Sequence, residues 1–68
     1  MSAYKIISVV GSSPKSWEDA TQEAVKSASG SVRNLRIGEV SKMDVTVDKK
    51  GKISAYRVKL ELSFKYEG

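Results

Sequence analysis

The 68-residue chain carries 12 basic and 8 acidic side chains, a formal charge of +4, with 40% apolar and 29% charged residues. It contains no cysteine and no histidine, which excludes disulfide staples, thiol nucleophiles, the usual general base and most zinc or iron sites. A chain this short buries only about 60% of the surface its unfolded form exposes. One domain over residues 1–68 is expected, with self-association as the leading source of extra stability. A hard-metal site built from carboxylates stays open.

Charge is unevenly placed. Residues 1–32 balance Lys5, Lys15 and Lys26 against Glu18, Asp19 and Glu23, so the whole excess of +4 sits in residues 33–68. An anionic partner such as nucleic acid is one reading of that asymmetry, and a solvated hairpin face is the preferred one. The longest apolar stretch, Ile6-Ile7-Ser8-Val9-Val10, is too short for a signal peptide or a membrane span. A soluble cytoplasmic protein without a membrane partner is expected.

Tyr4–Val10 reads as a strand rich in β-branched residues. Both parities are apolar, which predicts cover on both faces. Gly11-Ser12-Ser13-Pro14 breaks the strand, with Ser13 as helix cap and Pro14 at the first helical position. The helix is predicted from about Pro14 to Ser29. Trp17, Ala20, Thr21, Ala24, Val25 and Ala28 recur on one face, and Gly30 is the expected stop. An alanine-lined face lets a helix lie close to a sheet.

The second half reads as a long hairpin. Leu35, Ile37, Glu39, Ser41, Met43, Val45 and Val47 form one row, apolar except at Glu39 and Ser41. Asp48-Lys49-Lys50-Gly51 supplies the turn. The return strand alternates cleanly, with Tyr56, Val58, Leu60, Leu62, Phe64 and Tyr66 on its apolar face. One strand over residues 33–48 would span about 50 Å, against a radius of gyration near 11 Å for a compact chain of this length. The hairpin must therefore curl, with a bulge near Glu39–Ser41, or meet another chain; both are expected.

The Gly11–Ser16 turn lacks the Gly-Lys-Ser/Thr ending of a phosphate loop, so it reads as a capped turn. Glu18, Asp19 and Glu23 on the helix, and Asp44 and Asp48 on the hairpin, read as solvated charges. Glu39 interrupts an apolar row, where an unpaired charge is costly. It is expected to pair with a basic residue or face a cavity, or else a bulge turns it to solvent. Trp17 and the hairpin aromatics read as packing residues rather than a base-stacking platform.

The order is β-α-β-β, in the α+β class. With it, Val10-Gly11-Ser12-Ser13-Pro14, the Glu39-Val40 pair and the strand Tyr56-Arg57-Val58-Lys59-Leu60-Glu61-Leu62-Ser63-Phe64 resemble the dodecin family over essentially the full length. The resemblance implies a three-stranded antiparallel sheet wrapped around one helix. It also implies a hollow homododecamer that binds small ligands, often flavins, and is not an enzyme. In flavin-binding dodecins a tryptophan stacks on the ring two residues before the Glu-Val pair, and a glutamine on the last strand hydrogen-bonds it. Those positions here are Ile37 and Arg57, so weak flavin binding is expected, with flavin storage as the alternative.

Ser13-Pro14-Lys15-Ser16-Trp17-Glu18 and the closing strand are more similar to the calcium dodecin subgroup, which makes calcium a candidate ligand with no metal ligands assigned. The ligand-binding residues expected are Arg36, Ile37, Glu39 and Arg57. Sequestration of a small molecule or cation is the leading reading. A basic hairpin that binds nucleic acid is the alternative of another class.

Overall fold

The computed structural model describes residues 3–66, and the side chain of Tyr66 lies outside the described residues. Four elements follow in order: β1 (Ala3–Ser13), α1 (Trp17–Ser29), β2 (Leu35–Val47) and β3 (Ile53–Tyr66). β3 is central, with β1 and β2 antiparallel on either side of it. The α+β order and the antiparallel sheet agree with the sequence reading.

β1 runs three residues beyond the predicted end because Gly11, Ser12 and Ser13 keep pairing with Val58, Arg57 and Tyr56. The helix therefore starts later than Pro14. Ser16 is its cap, its Oγ accepting from the Asp19 backbone N–H at 3.0 Å. Ser13 is buried instead at the end of β1, where its Oγ donates to Asp19 Oδ2 at 2.6 Å and accepts from the Lys15 N–H at 2.9 Å. Glu18 and Asp19 lie in the first turn and Lys26 in the last, matching the helix dipole. Gly30 does end the helix, but in the right-handed region at φ −70°. Among the described non-glycine residues, the one with positive φ is Asn34, at 61°.

Ala20, Ala24 and Ala28 form the buried stripe of α1. They meet Val58, Leu60 and Leu62 of β3, flanked by Ile7, Val9, Trp17, Val25 and Leu35. Each large aliphatic residue buried there contributes about 1.5–3 kcal/mol. The approach of helix to sheet is close enough to require glycine in β1. A Cβ on Gly11 would run into the Ala20 carbonyl and sit 2.9 Å from Ala24 Cβ.

Only one face of β1 is covered, against the expectation of two. Ile7 and Val9 pack under the helix, while Ile6 and Val10 on the opposite face are exposed. A single helix covers a single face of a sheet.

The turn forms as predicted. Gly51 N–H donates to the Asp48 carbonyl at 3.1 Å, and Gly51 takes φ 79°. Asp48 Oδ1 accepts from the Lys50 and Lys52 N–H groups. Register shifts interrupt β2–β3 at three places, between Leu35 and Ile37, Val40 and Lys42, and Thr46 and Val47. The middle one is the bulge expected near Glu39–Ser41. The hairpin is not folded back by it: the molecule extends 52 Å, with a radius of gyration of 14.0 Å. Among the described residues no helix is long and apolar enough to cross a membrane.

Candidate functional site

Cross-strand partners share a face of the sheet, so the register assigns each β2 side chain a side. Leu35, Gly38, Val40, Met43 and Val45 pair with Phe64, Leu62, Leu60, Val58 and Tyr56 on the helix-facing side. Ile37, Glu39, Lys42 and Asp44 pair with Ser63, Glu61, Lys59 and Arg57 on the outer side. The row predicted as one apolar face is thus split. Arg36 and Ser41 are the extra residues of two bulges, and each bulge moves the following residues to the other face.

That split accounts for Glu39. It leaves the apolar row, faces solvent, and sits opposite Glu61. It does not pair with Arg57. The partner of Arg57 is Asp44, in a two-point contact: Nε to Oδ1 at 2.6 Å and Nη2 to Oδ2 at 2.7 Å. This hydrogen-bonded guanidinium lowers the Asp44 pKa from its ordinary value of 3.8, with the charges of Arg57 and Lys42 adding to it. The same hydrogen bond and charge raise the Arg57 pKa. Asp44, read from the sequence as a solvated charge, is therefore the residue that was missed. Counting outward from the turn places Arg57 one position off Asp44, because the bulge at Ser54 is invisible to that count.

Trp17 connects this region to the helix. Its Nε1–H donates to the Asp44 carbonyl at 3.1 Å, and its ring meets Tyr56 edge-on at a centroid distance of 5.1 Å. The reading of Trp17 as a packing residue agrees. Tyr56 and Phe64 are half-buried rather than buried, since α1 reaches little of β2.

Of the four expected ligand residues, Ile37, Glu39 and Arg57 share the outer face and Arg36 lies exposed in a bulge. One chain does not gather them. Ile37 is level with Ser63, six residues from Arg57 along β3, a separation of about 20 Å. Among the described residues no group of three carboxylates lies close enough to hold a metal ion. Calcium takes six to eight oxygen ligands in general, from carboxylates, carbonyls and water.

The dodecin family profile matches residues 3–67. The chain belongs to the dodecin family. It is 52% identical over 65 residues to the calcium dodecin of Mycobacterium tuberculosis, covering 96% of this chain and 90% of that one. The solved structure of a calcium dodecin from that organism superposes with a TM-score of 0.84 at 49% identity, covering 96% and 91% of the two chains. A dodecin from Streptomyces coelicolor superposes with a TM-score of 0.93 at 31% identity, covering 98% and 94%. The dodecin fold expected from the sequence is therefore present.

Proposed function

We propose that this dodecin assembles as a hollow homododecamer that binds and sequesters a small ligand or a hard cation, without catalysis. The observation that carries this reading is the apolar surface one chain leaves bare. Ile6, Val10, Ile37, Met43 and Val47 are all more than half exposed on a molecule 52 Å long. Covering such surface gains about 25 cal/mol per Å², and α1 has no length left to do it. The number twelve is taken from the family. The absence of histidine and cysteine supports a container rather than an enzyme.

The ligand site is assigned to Arg36, Ile37, Glu39 and Arg57, taken from more than one copy because one chain holds Ile37 and Arg57 far apart. Ile37 offers apolar contact but no π-face, and a stacked aromatic is worth about 0.5–1.5 kcal/mol beyond area burial. Arg57 is donor-only and already engaged by Asp44. Both features favour a ligand other than flavin. A relative named for calcium supports a hard cation held by carboxylates of several copies.

Native mass spectrometry of freshly purified protein, with and without added calcium, tests the reading. Twelve copies of a 7.4 kDa chain give an assembly of about 89 kDa, and bound calcium adds discrete mass. No flavin mass is expected. A folded 7.4 kDa monomer would end the container reading, and a retained flavin would end the assignment of the site.

A further inference from the structure

Arg57 lies in a surplus of positive charge. Val10, Lys42, Asp44, Arg57, Val58 and Lys59 line a hollow of about 220 Å³. Three of these side chains are cationic and one is anionic, a net charge of +2. Lys42 stands directly opposite Lys59 across the β2–β3 pair, and like charges so placed are destabilising. Among the described residues the salt bridge is Asp44 with Arg57, and neither lysine takes part in it. Asp44 presents both carboxylate oxygens to the guanidinium, Oδ1 to Nε and Oδ2 to Nη2. An arginine takes the carboxylate or phosphate of a ligand by the same two-point geometry. Both partners are about half exposed, so the pair opens without disturbing the core.

We propose that Asp44 is a built-in competitor at an oxyanion site formed by Arg57, Lys42 and Lys59, whose ligand is a small organic molecule carrying a carboxylate or phosphate. This inference rests on the assignment of Arg57 to the ligand site proposed above, and it adds the charge class of the ligand and the residue that sets it. The hollow is smaller than the roughly 300–1,000 Å³ of pockets that enclose a whole ligand. It therefore receives the charged group, with an apolar body resting on Val10, which is exposed at its rim. A net charge of +2 repels metal ions, so this site takes the small molecule rather than the cation. Asp44 holds the fork closed until an anion displaces it. Apparent affinity falls by the fraction of molecules in which the fork is free.

Asp44→Asn tests it, because it keeps the side-chain shape and removes the competing charge. The Trp17 indole bonds the backbone carbonyl at this position, so that contact is retained. Calorimetric titration of the full protein at low ionic strength uses three probes: benzoate, phenyl phosphate and the neutral benzamide. Asp44→Asn is expected to bind one or both anions at least about fivefold more tightly than the unmodified chain, the factor an exposed ion pair is worth. Benzamide affinity should not change. Whichever anion gains more identifies the oxyanion. Arg57→Gln is expected to lose anion binding. Where the unmodified chain binds too weakly to measure, D44N against D44N/R57Q makes the same comparison.

No gain in anion affinity on Asp44→Asn, or a gain that benzamide shares, overturns the competitor. If that outcome comes with loss of binding in Arg57→Gln, Arg57 keeps its place in the ligand site and only the role of Asp44 falls. Anion binding that is equal with and without Arg57 overturns its assignment to the ligand site as well. If Asp44→Asn lacks the far-ultraviolet spectrum of the folded chain, Asp44→Ser runs the same comparison.

Discussion

The two faces of β3 contrast in how they are completed. Towards the helix, Val58, Leu60 and Leu62 are sealed, Leu60 to 1% exposure, by three alanines and the flanking residues of β1 and β2. Away from the helix, Lys59, Glu61 and Ser63 lie between residues that remain open, with Ile6 at 66% and Ile37 at 67% exposure. The stretch from Val58 to Leu62 is sealed within one chain because small helical residues permit close approach, whereas Met43 beside Val58 on the same side stays 54% exposed. The open face combines exposed apolar side chains with like-charge pairs, a surface that one copy does not satisfy by itself. The buried core of the chain is concentrated on one side of the strand, towards the helix.

The largest expected effect breaks that contrast at neighbouring positions. Leu60→Asp places an unpaired charge in the sealed face, and loss of the helix and sheet signals in circular dichroism is expected. Lys59→Asp, one residue away on the open face, should keep the folded spectrum. Equal unfolding by both would remove the distinction between the faces.

A smaller effect is expected at Gly11, where the sealed face depends on proximity. Gly11→Ala adds one methyl group against the Ala20 carbonyl and Ala24 Cβ. The helix must shift, and overpacking of this kind costs about 1–3 kcal/mol. Urea denaturation measures it. An unchanged midpoint would mean that α1 does not rest on β1 as closely as described.

The smallest effect belongs to the exposed ion pair. Because the folded-state pKa of Asp44 is depressed, its contribution is fully present above the ordinary value of 3.8 and is lost as pH falls through the lower folded value. The urea midpoint of the unmodified chain should exceed that of Asp44→Asn at neutral pH, with the difference closing below about pH 4. A constant difference across that range would assign Asp44 a role other than its charge.

Much of this was legible in residue order, for identifiable reasons. Alanines at spacings of four announced a close-packed helix, the clean alternation of β3 announced its buried face, and Asp48 with Gly51 announced the turn, since each depends on local geometry alone. The start of α1 was misplaced by Ser13-Pro14, a good cap by composition that the sheet holds extended through its pairing with Tyr56. Among the candidate site residues, Arg57 and Ile37 stood out as residue types. Their separation along the face and the pairing of Arg57 with Asp44 did not.

Local pattern by itself determined the element order, the helix face and the apolar row of β3, because period and turn chemistry act over a few residues. Only the tertiary structure decided on which side Glu39, Ile37 and Asp44 fall. A side chain in a strand changes face with each one-residue shift of register. The three shifts between β2 and β3 are set by pairing across the hairpin, not by the residues beside them in the chain.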